Sequence, residues 1–421
     1  MSGELLSQLR KYSHQIRTSL HWIVLAVLTG VIIGFVGTAF FYLMGRATQL
    51  RLAHPVLIFF LPAAGLVIVG LYHFFHDEKD TGTNLVLSAV HSGEKLPVQM
   101  APLIFVSTIL THLFGGSAGR EGAALQIGGS IANSLGALFR MDEKKRNILI
   151  MCGMSAGFSA IFGTPIAATV FCIEVVSVGI IQYAALVPCA ISALVSHGIA
   201  SYFLDQSLGL EVLGIPEFGL VVGLKTALLA VICAFVSIFF CIMLHKSEEF
   251  YRRFFKNPFL RVVVGGGIVI AITMLTGSQD YNGLSAGLLH NSFSGNVVPW
   301  AFLLKMLLTA ATLGAGFKGG EIVPSFVIGA SLGSTFGSLA GMSPSLCAAI
   351  GMGAVFCGVT NSPIASFLIC VELFGFGGMP YYLLAIALSY MFSGYYGLYS
   401  SQKIAFSKYR TEYINKKMTE L

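Results

Sequence analysis

The residues best placed to do chemistry are carboxylates in apolar surroundings. In "GGSAGREGAALQIGGS" (115–130), Arg120 and Glu121 stand side by side among glycines and alanines, with almost nothing else charged in the thirty or so residues upstream. A carboxylate is costly to keep ionised there, so it implies an ion or proton path unless a cation pairs it. "KGGEIVP" (318–324) sets Glu321 three positions after Lys318, and Glu174 and Glu372 close the apolar runs "VFCIEV" and "LICVEL". Other chemistries fit poorly. "GMSAG" (153–157) matches the G-x-S-x-G elbow of serine hydrolases. It lacks strand context, however, and His91, His112, His197 and His290 show no partner spacing. The eight cysteines lie in or beside apolar stretches without metal-ligand spacing, as small core residues do. No metal, cofactor or enzymatic activity is expected.

The elements that must hold these carboxylates are membrane helices. Of 421 residues, 55% are hydrophobic and 10% charged, with a mean hydropathy of +0.80. Soluble domains carry about 25% charged residues. Runs at 21–44, 55–75 and 219–244 are long enough for the roughly 20 residues that cross a bilayer. The first is too long for a signal peptide and lacks a convincing cleavage site, so it reads as a retained span. Basic residues gather at Arg10, Lys11 and Arg17, at 144–146, at 246–261 and at Lys403, Lys408, Arg410, Lys416 and Lys417. The positive-inside rule puts both termini in the cytoplasm. Because those clusters flank apolar runs, the net charge of +6 calls for no nucleic-acid partner. Some twenty residues follow position 400, too few for a soluble domain of useful size.

The chain is duplicated. "GMSAGFSAIFGTPIAATVFCIEV" (153–175) resembles "GMGAVFCGVTNSPIASFLICVEL" (351–373) at a constant offset that also aligns "REG" (120–122) with "KGG" (318–320). The second copy of "GMSAG" lacks its serine, which weakens the hydrolase reading further. Expected units are an N-terminal cytoplasmic segment (1–20), two membrane repeats (21–205 and 206–405) and a short cytoplasmic tail (406–421). Repeats of this size suggest a secondary transporter, with interrupted helices presenting N-terminal ends to a midplane site. Residues 115–122 and 314–324 are Gly-rich interruptions, and such backbone survives at membrane depth only where it lines a cavity. Free N–H groups at helix starts favour anions, so the two loops should converge on one anion site. Glu174 and Glu372 recur in both halves, which suggests scaffolding by caps or loop hydrogen bonds. Gly153/Gly157 and Gly329/Gly333 suggest close helix packing. Glu121 corresponds to Gly319 and Glu321 to Ala123, and this asymmetry marks both as functional. The alternatives are ion pairs, Glu121 with Arg120 or Lys318 and Glu321 with Lys318.

These residues resemble the CLC family of anion channels and transporters. "GREGA" (119–123) is similar to the family's G-x-E-G-P gate, "KGGEIVP" to its G-K-x-G-G-x-x-x-P motif, and "GLYS" (397–400) to its final tyrosine segment. The resemblance implies an all-α integral membrane protein: a CLC-type fold of two inverted-topology repeats with many tilted and broken helices, as a homodimer. Departures from chloride-transporting members point to the fluoride/proton antiporter branch. "GTNLVLS" (82–88) replaces their G-S-G-I-P, Glu321 replaces a hydrophobic residue, Val175 a second proton-relaying glutamate, and Ala123 a proline. The implied function is export of cytosolic fluoride in exchange for protons across the bacterial plasma membrane, conferring fluoride resistance. The partners are fluoride, protons, lipid bilayer and a second subunit. A chloride/proton antiporter and a passive anion channel are the alternatives. Glu121 is the implied gating and proton-carrying glutamate. The implied anion path comprises Thr83, Asn84, Gly119, Arg120, Gly122, Glu321, Ile322, Val323 and Tyr399. Either Thr83 or Asn84 makes the contact in the first loop, and Tyr395 or Tyr396 could substitute for Tyr399.

Overall fold

The computed structural model describes residues 2–78, 80–205 and 209–418. The side chains of Arg10 and Lys11, residues 206–208 at the expected start of the second repeat, and 419–421 at the end of the expected tail lie outside the described residues.

Among the described residues, sixteen α-helices divide into two sets of eight. The first set is α1 (Ser2–Ala53), α2 (Leu61–Phe74), α3 (Thr83–Ser92), α4 (Met100–Leu113), α5 (Glu121–Leu138), α6 (Glu143–Phe162), α7 (Pro165–Glu174) and α8 (Leu186–Phe203). The second is α9 (Leu220–Phe254), α10 (Pro258–Thr276), α11 (Ala286–Phe293), α12 (Ala301–Gly314), α13 (Ile322–Ala340), α14 (Pro344–Thr360), α15 (Pro363–Phe374) and α16 (Met379–Phe392). Among the described residues, six stretches are long and apolar enough to span a bilayer, and most of the remaining helices are shorter apolar pieces. The chain is therefore a multi-pass membrane protein with interrupted helices.

Local chemistry sets these breaks in equivalent places. Gly163 ends α6 at φ +75° and its counterpart Asn361 ends α14 at φ +56°, both left-handed, a conformation glycine and asparagine tolerate best. Pro165 and Pro363 then start α7 and α15, where a missing N–H costs no helical bond.

Small residues let paired helices touch backbone to backbone. A Cβ on Gly153 of α6 would overlap the Gly128 carbonyl of α5, and one on Gly333 of α13 would overlap the Cys347 carbonyl of α14. The glycine spacing thus serves helix packing. The two halves also cap each other. Glu174 accepts the N–H groups of Ile364 (3.1 Å) and Ala365 (2.8 Å) at the start of α15. Glu372 accepts those of Ile166 (3.0 Å) and Ala167 (2.7 Å) at the start of α7. Contacts reciprocal at one sequence offset are those of two-fold-related repeats, and they give both glutamates the scaffolding role their recurrence suggests. Where the halves meet, Phe158, Phe162, Phe326, Phe356 and Phe171 close a ring of aromatic contacts with centroids 4.8–5.5 Å apart.

The helical class has one addition. The C-terminal segment forms a hairpin of β2 (Lys403–Phe406) and β3 (Tyr413–Lys417), and β2 pairs in parallel with β1 (Ser177–Val178) just after α7. Strand pairing of the tail depends on a distant partner, which no local pattern discloses.

Candidate functional site

The two Gly-rich loops meet back to back. Gly119 N–H donates to Gly320 O (2.6 Å) and Gly320 N–H to Gly119 O (2.8 Å), an isolated antiparallel bridge joining the halves. A side chain would crowd it, because a Cβ on Gly119 would stand 3.0 Å from Gly320 O and 3.2 Å from Val323 Cβ, so the neighbours would have to give way. Immediately beyond the bridge, α5 begins at Glu121 and α13 at Ile322. The first N–H groups of a helix have no partner within it. Those of Gly122 and Ala123 in α5 and of Ile322 and Val323 in α13 are therefore available near the junction, all in buried residues.

Gly122 is the meeting point. A Cβ there would stand 2.9 Å from Gly320 Cα, 3.1 Å from Glu321 Oε2 and 3.5 Å from Thr83 Oγ1. The start of α3, which begins at Thr83, thus joins those of α5 and α13. Thr83 Oγ1 accepts from Gln126 Nε2 (3.2 Å), which leaves the threonine proton to donate elsewhere. Asn84 Oδ1 faces the Ser401 N–H (3.1 Å), an obligate donor, so the Asn84 Nδ2 donors remain for other acceptors. Both residues line the cavity described below. Gln126 was not among the expected residues. It lies on the buried face of α5, and neither its spacing nor its type distinguishes it in the sequence.

The carboxylates differ in their surroundings. Glu121 is buried; its Oε2 accepts the Arg120 N–H (3.1 Å) and its Oε1 lies 3.5 Å from Arg120 Nε. The Arg120 guanidinium sits 4.1 Å above the Phe41 ring. The expected alternative of pairing with Arg120 is therefore present, as a long contact. Pairing with Lys318 is not, for either glutamate. Lys318 Nζ bonds Asp80 Oδ2 (2.8 Å) and lies 4.2 Å over the Tyr72 ring, while Asp80 Oδ1 accepts the Gly82 N–H (2.8 Å) just before α3. The sequence neighbour loses to a distant residue because Asp80 needs a counter-charge and the loop brings it to hand. Glu321 Oε2 is buried with no hydrogen-bond partner.

Tyr399 is fully buried, and its hydroxyl likewise has no partner. Leu398 N–H bonds Val359 O (2.8 Å), fixing the segment against the end of α14. Tyr396 is half-exposed and Tyr395 bonds Ser407 Oγ (2.8 Å), so neither neighbour combines full burial with an unpartnered hydroxyl as Tyr399 does.

A cavity of about 970 Å³ reaches this junction. Thr83, Asn84, Gln126, Lys318, Glu321 and Ser400 line its inner part; His245, Glu248, Arg252 and Arg261 line its mouth, while Glu121 does not line it. The mouth falls in the basic stretch 246–261. Ser155, by contrast, lies mid-helix in α6 and donates to Cys189 O (3.3 Å), away from any strand-to-helix elbow. All eight cysteines are free and buried.

Residues 64–394 match the family model described as voltage gated chloride channel. A "Chloride/fluoride channel protein" of Pseudomonas syringae pv. tomato is 35% identical over 406 residues, covering 92% of this chain and 87% of that protein. The "H(+)/Cl(-) exchange transporter ClcA" of Yersinia pestis is 24% identical, covering 87% of this chain and 82% of that one. Among solved structures, a CLC-type fluoride/proton antiporter superposes with a TM-score of 0.88 at 35% identity, over 91% of this chain and 98% of that one. A slow cyanobacterial Cl⁻/H⁺ antiporter shares the fold, with a TM-score of 0.78 at 20% identity over 88% and 94% of the two chains.

Proposed function

This chain belongs to the voltage gated chloride channel family, and from that premise we propose that it is a fluoride/proton antiporter that exports cytosolic fluoride. The observation that carries the choice of anion is Glu321: a half-buried side chain whose buried Oε2 has no hydrogen-bond partner, placed against Gly122 and Thr83 where three helix starts meet. A carboxylate beside an anion path repels the anion unless a proton accompanies it. Hydrogen fluoride is a strong donor that such an oxygen can accept, whereas chloride gains nothing comparable. Fluoride is also small and strongly hydrated, so its site needs many short donors. The helix-start N–H groups, the Thr83 hydroxyl, the Asn84 amide and the Tyr399 hydroxyl are suited to supply them.

In this scheme fluoride enters from the cytoplasmic cavity and passes Asn84, Thr83 and Tyr399 to the start of α13, with Ile322 and Val323. Glu121 ionised occupies the outer anion position beside Gly119, Arg120 and Gly122; protonated, it withdraws and admits fluoride. One carboxylate thus alternates between anion and proton carriage. Glu321, open to the same cavity, passes the proton inward, a role suited to a chain with Val175 where chloride exchangers have a glutamate.

The membrane repeats are 21–205 and 206–405, with 1–20 and 406–421 in the cytoplasm of a bacterium and the spans in its plasma membrane. The working unit is a homodimer, as membership of the family implies. The chloride-exchanging relative makes chloride/proton exchange the runner-up. Protein reconstituted in liposomes under a fluoride gradient should take up protons as fluoride leaves. Equal proton coupling with a chloride gradient would transfer the assignment to the runner-up, and fluoride flux without protons would make the protein a channel.

A further inference from the structure

Three side chains able to carry positive charge are buried against the back of the gate loop, and none of them lines the cavity. Lys305 on α12 is fully buried, as is His112 at the end of α4, and Arg51 in the last turn of α1 is nearly so. Lys305 Nζ lies within hydrogen-bond reach of Gly283 O (2.8 Å), Ser285 Oγ (2.9 Å), Ser117 Oγ (3.0 Å) and Tyr281 O (3.2 Å). Ser117 Oγ in turn lies 2.9 Å from Tyr281 O as a donor, so towards Lys305 it accepts. The ring nitrogens of His112 reach Thr108 O (2.8 Å) and Ala118 O (3.0 Å). Arg51 meets Gln279 Oε1 at 3.4 Å, and its Nε has no partner.

Every one of these partners is an uncharged oxygen. Among the described residues no carboxylate lies within ion-pair distance of the three. Asp280, on the nearby loop, is bonded to Ser278 instead. Cations buried without a counter-ion are expensive, and in membrane proteins they mark function. Two of these groups touch the loop 115–120 itself, at Ser117 and Ala118, and that loop ends in Glu121.

We propose that Lys305, backed by Arg51, is a positioning residue for the gate. It ties the gate loop of the first half to the loop 281–285 and α12 of the second, and it imposes a positive potential that favours the ionised, anion-like state of Glu121. Lys305 contacts neither fluoride nor Glu121 and acts through Ser117 and through its charge. The groups facing it are Arg51 from α1, His112 from α4 and Tyr281 from the loop, while Arg120 is the charged group beside Glu121. The inference rests on the antiporter reading of Glu121.

Fluoride-driven proton uptake by the reconstituted protein, measured against external pH, tests it. Removing a nearby positive charge lets Glu121 hold its proton to higher pH. The midpoint for Lys305→Met should therefore rise by about 0.5–1 pH unit, the scale of one charge felt through a medium of effective dielectric ~20. Arg51→Gln, which cuts no bond to the gate loop, should move it the same way by less. Ser285→Ala, which removes a bond but no charge, should leave it in place. An unmoved midpoint in folded Lys305→Met overturns the proposal; should that variant aggregate, an unmoved midpoint in Arg51→Gln does so. Wild-type protein without proton uptake would instead dispose of the antiporter reading.

Discussion

Glu121 and Glu321 flank the bridge between Gly119 and Gly320, yet the first meets Arg120 and the second keeps an oxygen free. That difference assigns them different tests. Glu121→Gln keeps the shape but cannot titrate, so proton uptake should vanish while fluoride flux persists; a wild-type proton flux in this variant would refute the gate assignment. Glu321→Gln should cut fluoride transport at least tenfold while the protein elutes as an intact dimer, because no residue depends on its free oxygen for a bond. Near-normal flux in that variant would return Glu321 to a structural role. Tyr399→Phe removes a hydroxyl with no protein partner. Its effect should appear as weaker fluoride affinity with unchanged thermal stability, which binding and melting measurements separate.

At the level of elements, the paired glutamates and the helix-contact glycines carry the architecture. Glu174→Ala strips two N–H groups at the start of α15 of their acceptor, which should cost about 1–3 kcal/mol. A lower melting temperature of the detergent-solubilised protein would show it, and proton coupling should survive. Gly153→Leu should be more damaging still, since even a Cβ there overlaps the Gly128 carbonyl. Both roles were legible in the sequence, because scaffolding recurs with the repeat while function need not. The pairing of Lys318 was not legible. Its neighbour Glu321 was the obvious candidate, and only the approach of the loop before α3 brought Asp80 to it.

For the whole molecule, the C-terminal hairpin acts as a strap. Lys408 bonds Asn361 Oδ1, Tyr390 O and Ser393 Oγ, and Gln402 Nε2 donates to Val175 O and Thr360 O, both at 2.8 Å. These contacts hold the segment bearing Tyr399 against the ends of α14 and α16. Deleting residues 403–421 should therefore lower thermal stability and slow fluoride turnover without dissociating the dimer, as light scattering and flux would record. Read from the chain alone, the membrane class, the duplication, the two Gly-rich loops and the asymmetry of Glu121 and Glu321 are all plain. Composition, period and offset are local or self-referential, and they survive without coordinates. Only the packing of distant segments reveals that Asp80 takes Lys318, that Asn84 is turned by Ser401, that Gln126 joins Thr83 and that Lys305, Arg51 and His112 lie buried behind the loop 115–120 with no carboxylate partner among the described residues. Each of these pairs residues distant in the chain, where the cost of burying a polar group selects its partner and no sequence spacing records the choice.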